Sequence, residues 1–171
     1  EANYEFKTVA EIQAFVDEAN LEVAVDEVNE FVVEDPDPVD LFAALGSNLL
    51  DLDNLVERNQ YFYASELAKK FVEGAEEQFE FANVAEIQAF VDAANATPVG
   101  KVNLAKNTAA MRAALENPAL ELDLAVYNEL SSLQKNQVAK YLLDDGYEFE
   151  DTEEVQDELD DAIVHIVGHW L

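Results

Sequence analysis

The sequence predicts an all-α protein made of two tandem helical repeat modules plus a closing C-terminal helix. Three observations predict it. The nonapeptide VAEIQAFVD occupies residues 9–17 and again 84–92, a helix-capping pair stands at the head of each copy, and the apolar residues behind the caps recur at helical spacing. A degraded third copy opens at Glu148, so the pattern Glu-Phe-x-x-[Val/Thr]-x-Glu-[Ile/Val]-Gln starts at Glu5, Glu80 and Glu148, at intervals of 75 and 68 residues. Identity over nine residues is far beyond chance. It divides the chain into module 1 (residues 1–79), module 2 (residues 80–147) and a closing helix (residues 148–171) that is a third, partial copy.

The elements follow in order. Thr8 with Glu11, Asn83 with Glu86 and Asp151 with Glu154 are capping pairs, in which a side-chain oxygen takes an orphan N–H at the helix start. Val9, Ile12, Phe15 and Val16 then form one apolar face, and Val84, Ile87, Phe90 and Val91 form its equal. The repeat predicts equal burial of the two faces. Asp35-Pro36-Asp37-Pro38 cannot continue a helix, and it starts a new one with Asp37 as cap and Pro38 at the first turn. Ser131 with Gln134 opens a helix that reaches about Leu143 and stops at Gly146. In the last copy the stripe is Val155, Leu159, Ile163 and Ile166. Strand alternation is confined to short pieces near Glu80–Phe81 and Tyr147–Phe149. Between the nonapeptides, Ala43-Ala44-Leu45 matches Ala113-Ala114-Leu115, and Leu50-Asp51-Leu52-Asp53 matches Leu120-Glu121-Leu122-Asp123. Ala68-Lys69 also matches Ala139-Lys140, ahead of a Gly at 74 and 146. Modules of this size, joined without a Gly/Ser linker, are expected to stack and bury faces that a single copy cannot cover; the alternative is one compact bundle containing a duplicated hairpin.

Composition excludes several functions. The chain has 171 residues, 38 Asp and Glu against 9 Lys and Arg, and a formal charge of −29. It has no basic face with which to neutralise phosphate, so direct nucleic-acid binding is not expected, nor is attraction to anionic membranes. No Cys is present, which removes disulfides, thiolate nucleophiles and cysteine-ligated metals. The apolar stretch from Ala162 to Leu171 is interrupted by two His and is far shorter than the ~20 residues of a spanning helix. The first residue is Glu1 rather than Met, which favours, slightly, an exported or processed protein.

The stretches TVAEIQAFVDEANLEVAVDEVN and TAAMRAALENPALELDLAVYNELSSLQKNQVAKYLL resemble α-helical tandem repeats of large surface-layer-type proteins of Gram-positive bacteria, and related modules in phage structural proteins. The resemblance covers nearly the whole chain. It implies a non-catalytic building or binding module and transfers no catalytic residue.

Candidate sites are few. His165 and His169 are four apart on a helix, the spacing with which two imidazoles share a metal, and Glu158 and Asp161 share the helical phase. No His-Glu-x-x-His pattern surrounds them, so no metal site is assigned. Asp51 and Asp53 open like a calcium loop but lack the Gly that such a loop needs at its sixth position. No Ser–His pairing and no phosphate-cradling Gly loop is recognisable, so neither enzymatic activity nor a cofactor is expected. Tyr61, Phe62 and Tyr63 are the candidate interface. Consecutive helical residues point about 100° apart, so they cannot all enter one core; one or two would be exposed, or they would bridge the modules.

Charge is uneven. Residues 1–57 hold sixteen acids against Lys7, residues 144–161 hold eleven acids and no base, and residues 96–143 hold five bases to four acids. The expected role is architectural: a structural component of a phage virion or a bacterial surface layer, with coat or surface proteins, or further copies of the chain, as partners. The alternative is a cytoplasmic DNA mimic whose carboxylates occupy a DNA-binding protein.

Overall fold

The computed structural model describes residues 5–168. All regular structure among them is helical: α1 (Val9–Asn29), α2 (Pro38–Leu45), α3 (Gln60–Ala68), α4 (Val84–Ala96), α5 (Pro98–Leu104), α6 (Thr108–Leu115), α7 (Ala125–Glu129), α8 (Ser132–Asp145) and α9 (Thr152–Gly168). Two 3₁₀ turns, Glu57–Asn59 and Pro118–Leu120, precede α3 and α7.

Seven of the described helices start at a capping side chain: α1, α2, α4, α5, α6, α8 and α9. The N–H of Glu11 donates to Thr8 Oγ1, that of Glu86 to Asn83 Oδ1 and that of Glu154 to Asp151 Oδ1, at 3.1, 3.1 and 2.9 Å. In all three copies the glutamate reaches back one residue beyond the cap, accepting from the N–H of Lys7, Ala82 and Glu150 respectively. This satisfies a second orphan donor and places a negative charge at the positive end of the helix. Asp37 accepts from the N–H groups of Val39 and Asp40, with Pro38 at the first helical position. Ser131 and Gln134 form a full capping box, and α8 ends at Gly146, which takes the left-handed conformation (φ 69°) that favours glycine.

The core is continuous. α2 packs on α3, α6 on α8 and α8 on α9, with α4 against α3 and α5. Leu41 and Leu45 of α2 are buried, as are Met111 and Leu115 of α6. The loops after these helices turn alike: Asp51 and Glu121 both adopt positive φ (48° and 55°), and both follow a buried leucine, Leu50 and Leu120. On α9 the stripe of Val155, Leu159 and Ile163 is buried and Ile166 is half-buried.

Two expectations drawn from the repeat are corrected. First, the faces of the repeated nonapeptide are not equally buried. Ile87 and Val91 are fully buried and Val84 and Phe90 half-buried, whereas Val9, Ile12, Phe15 and Val16 are 81, 45, 45 and 42% exposed. The sequences are the same; what differs is the surface packed against them. α4 lies on α3, while the N-terminal half of α1 projects past the core that its other half joins through Ala24, Val25 and Val28. As the all-α reading expects, no strand forms among the described residues. The segments around Phe81 and Phe149 have no regular structure, and the backbone groups of these two residues pair with asparagine side chains. Second, Ala68 is half-buried at the end of α3 whereas Ala139 is fully buried in the middle of α8, so that sequence match does not carry over to packing.

Candidate functional site

The predicted aromatic run lies on α3, and the helix divides it. Phe62 and Tyr63 are buried (3 and 0% exposed), so they form no free interface; only Tyr61 is partly exposed. The reason is that α3 is covered on two sides, by α2 and by α4, so two neighbouring positions 100° apart both find cover. Tyr63 ties three segments together. Its hydroxyl donates to Asn95 Oδ1 (2.7 Å) on α4 and accepts from the Val56 N–H (3.2 Å). Asn59, fully buried, donates to the same oxygen at 2.7 Å, and the Asn95 amide donates to the Asn54 carbonyl at 2.8 Å. Burial raises the Tyr63 pKa, which keeps the hydroxyl protonated as a donor.

Tyr61 borders an open cleft of about 530 Å³, lined also by Asp35, Pro36, Pro38, Ser65 and Glu150. Here the Asp-Pro-Asp-Pro corner faces the start of the C-terminal segment. Partial desolvation, then repulsion from Glu154, Asp151 and Asp35, raises the Glu150 carboxyl above its ordinary value. Tyr61 and Ser65 bring the cleft's hydroxyls, and the described histidine, His165, is elsewhere, with its ring 4.8 Å from that of Tyr141. The cleft therefore offers carboxylates and an aromatic edge but no hydroxyl–imidazole pair. A second cleft, about 590 Å³, is aromatic: Phe79, Phe81 and Phe90 contact one another in sequence, with centroids 5.0 and 5.6 Å apart, and Lys70 Nζ stands 4.4 Å over Phe79.

Two sets of polar clamps, which reading the sequence did not find, organise the packing. The Asn29 amide donates to the Phe81 carbonyl (3.0 Å) and accepts from the Phe81 N–H (2.7 Å). Asn103 does the same for Phe149, at 2.9 and 2.9 Å. Gln88 on α4 accepts from the Asp53 N–H (2.8 Å) and donates to the Asp53 carbonyl (2.9 Å); Gln156 on α9 treats Asp123 in the same way, at 2.7 and 3.3 Å. Each glutamine also donates to the aspartate four residues on, Asp92 or Asp160. Each amide thus satisfies both backbone polar groups of one loop residue, as a neighbouring strand would. The signal available in sequence was the glutamine of the shared pattern and the Val-Asn pair at 28–29 and 102–103.

Arg58 joins the halves of the chain. It donates to the carbonyl of Ala105, the cap residue of α5, at 3.3 Å and to that of Tyr147 at 3.2 Å, while Gln60 donates to Glu148 at 2.8 Å. A cation at a helix C-terminus meets the negative end of its dipole.

His169 lies outside the described residues, and His165 is exposed on α9. Among the described residues no group of three His, Cys, Asp or Glu is placed to hold a metal ion, and no helix is long and apolar enough to cross a membrane. Asp51 and Asp53 belong to the loop clamped by Gln88.

No protein-family model matches the chain, and no solved structure matches it. A gellan lyase from a Bacillus species is similar: it is 47% identical over 70 residues, which is 39% of this chain and 3% of the lyase. The chain therefore spans a very small part of that relative.

Proposed function

We propose that the chain is a non-catalytic assembly unit made of two helical repeats, each closed by the capped helix that follows it, with α9 as the closing helix of the second. The observation that carries this reading is the doubling of the clamps: Asn29 with Phe81 and Gln88 with Asp53, then Asn103 with Phe149 and Gln156 with Asp123. Polar bonds devoted to fixing one helix on the preceding loop serve construction rather than chemistry. The similarity to the gellan lyase supports the same reading by its size. Its 70 residues approximate one repeat interval (75 or 68) and are a small fraction of that protein, as a recurring accessory module would be.

The proposed setting is a phage virion or a bacterial surface layer, where exposed helix faces meet coat or surface proteins and the acidic surface keeps the array soluble. The test is fractionation of the tagged protein with purified particles or envelopes. Co-fractionation in stoichiometric amount is expected, and a wholly free cytoplasmic protein would refute the setting.

The acidic run of residues 144–161 favours one other reading, a carboxylate mimic of DNA. Glu154 and Asp160 serve the fold, as cap and glutamine partner, so Glu153, Asp157 and Asp161 are the residues to neutralise. Assembly should survive E153Q/D157N/D161N with modest loss. Steeply salt-dependent binding to a basic DNA-binding protein, abolished by the triple variant, would favour mimicry.

A further inference from the structure

α1 carries two apolar patches, one in each half of one unbroken helix. Ala24, Val25 and Val28 are buried in the core, while Val9, Ile12 and Val16 face outward. At about 100° per residue the two patches are also centred roughly a third of a turn apart around the axis. In the corresponding stretch of the second repeat the chain bends. Thr97 and Pro98 end α4 and start α5, with Thr97 Oγ1 accepting the Gly100 N–H (3.1 Å), so that Ile87 and Val91 bury against α3 while Val99 and Val102 bury further along. α1 lacks that Pro and runs straight, from Val9 to Asn29.

What covers this face elsewhere in the chain is known. The same nine residues in α4 sit on a repeat, with Ile87 and Val91 buried and Gln88 clamped to the Asp53 peptide; in α9, Val155 and Leu159 are buried and Gln156 is clamped to Asp123. Gln13, at the equivalent place in α1, keeps the bond to the acid four residues on, Asp17 at 2.7 Å, but meets no loop peptide among the described residues.

We propose that the N-terminal half of α1 is a docking helix for a further repeat of the same kind, one that presents a helix pair and a Leu-x-Leu-Asp loop without a closing helix of its own. Ile12 and Val16 would enter its core as Ile87 and Val91 enter the first repeat, and Gln13 would clamp its loop aspartate. Both loops of this type within the chain are already taken, by Gln88 and Gln156, so a second intact copy offers no vacant seat. The proposal rests on the two-repeat reading but not on the virion or surface-layer setting.

The chain has no cysteine, so thiol labelling can report single positions. Ile12→Cys and Ile87→Cys are made separately in the full chain and in an extended chain with residues 1–79 placed directly before residues 5–171. In the full chain I12C should label quickly and I87C slowly. In the extended chain the cysteine at the original position 12 should label at least about tenfold more slowly, approaching I87C, because reaching it would require local opening. Adding Gln13→Ala there should raise its labelling rate, while the same change in the full chain leaves the rate unaltered.

An unchanged I12C rate in the extended chain overturns the proposal, whether the added repeat folds elsewhere or not at all, since in either case α1 has not closed it. I12C protection that grows with concentration in the unextended chain also overturns it, in favour of a second copy as occupant. Rapid labelling of I87C would instead count against the repeat reading beneath it.

Discussion

Asn103 and Phe149 form a closed pair: the buried amide donates to the carbonyl of Phe149 and accepts from its N–H, both at 2.9 Å. The two residues are 46 apart in sequence, so this bond fixes where the C-terminal segment returns to the body of the protein. Asn29 and Phe81 make the same pair across 52 residues, with Asn29 less deeply buried.

Removing the amide leaves a buried N–H and C=O without partners. Asn103→Ala should therefore cost about 2–4 kcal/mol, from ~1–3 kcal/mol for each unsatisfied group. Asn29→Ala should cost less, because water reaches that site more readily. Chemical denaturation of both variants measures the difference, and equal small losses would mean that the clamps contribute little.

The repeated nonapeptide supplies a comparison in which sequence is constant and cover is not. Ile87→Ala should destabilise by about 2–5 kcal/mol, the range for emptying a buried aliphatic site. Ile12→Ala, at a half-exposed position, should stay within about 0.5 kcal/mol. Phe90→Ala falls between them, since its ring is half-buried against Phe81 and Tyr63.

Ending the chain after Gly146 deletes α9 and Phe149 together. It should uncover the α8 face that carries Val138 and Leu142 and leave Asn103 unpaired. A lower melting temperature and increased binding of an apolar dye are expected. A truncated chain that melts like the intact one would show that α9 is dispensable.

Glu150 gives a pH signature. Desolvation first, then Glu154, Asp151 and Asp35, raise its pKa in the fold, so the folded protein holds this proton more tightly than the unfolded chain. The stability linked to it is full below the ordinary carboxylate value and is lost as pH rises through the raised one. At neutral pH Glu150→Gln should raise the melting temperature, and the advantage should shrink on acidification to about pH 4. A gain independent of pH would point to some cause other than the charge.

Local signals determined the helices. Caps at Thr8, Asp37, Asn83, Ser131 and Asp151, the stop at Gly146 and the apolar stripe of α9 could each be read within a few residues, because capping and periodicity are short-range physics. The candidate interface at Tyr61, Phe62 and Tyr63 could not be read that way. Exposure depends on how many neighbours a helix has, and α3 has one on each of two sides. The same holds for VAEIQAFVD, which is buried in α4 and open in α1 with no change of residue. Nor could the partners of Phe81 and Phe149 be read there, because a local pattern does not name a distant partner, and here the partner is an asparagine 52 or 46 residues away. By itself the sequence determined the all-helical class, the principal capped helices and its own internal repetition; only the tertiary structure decided which copies of a face are covered, since burial belongs to a pair of surfaces and a sequence specifies one surface at a time.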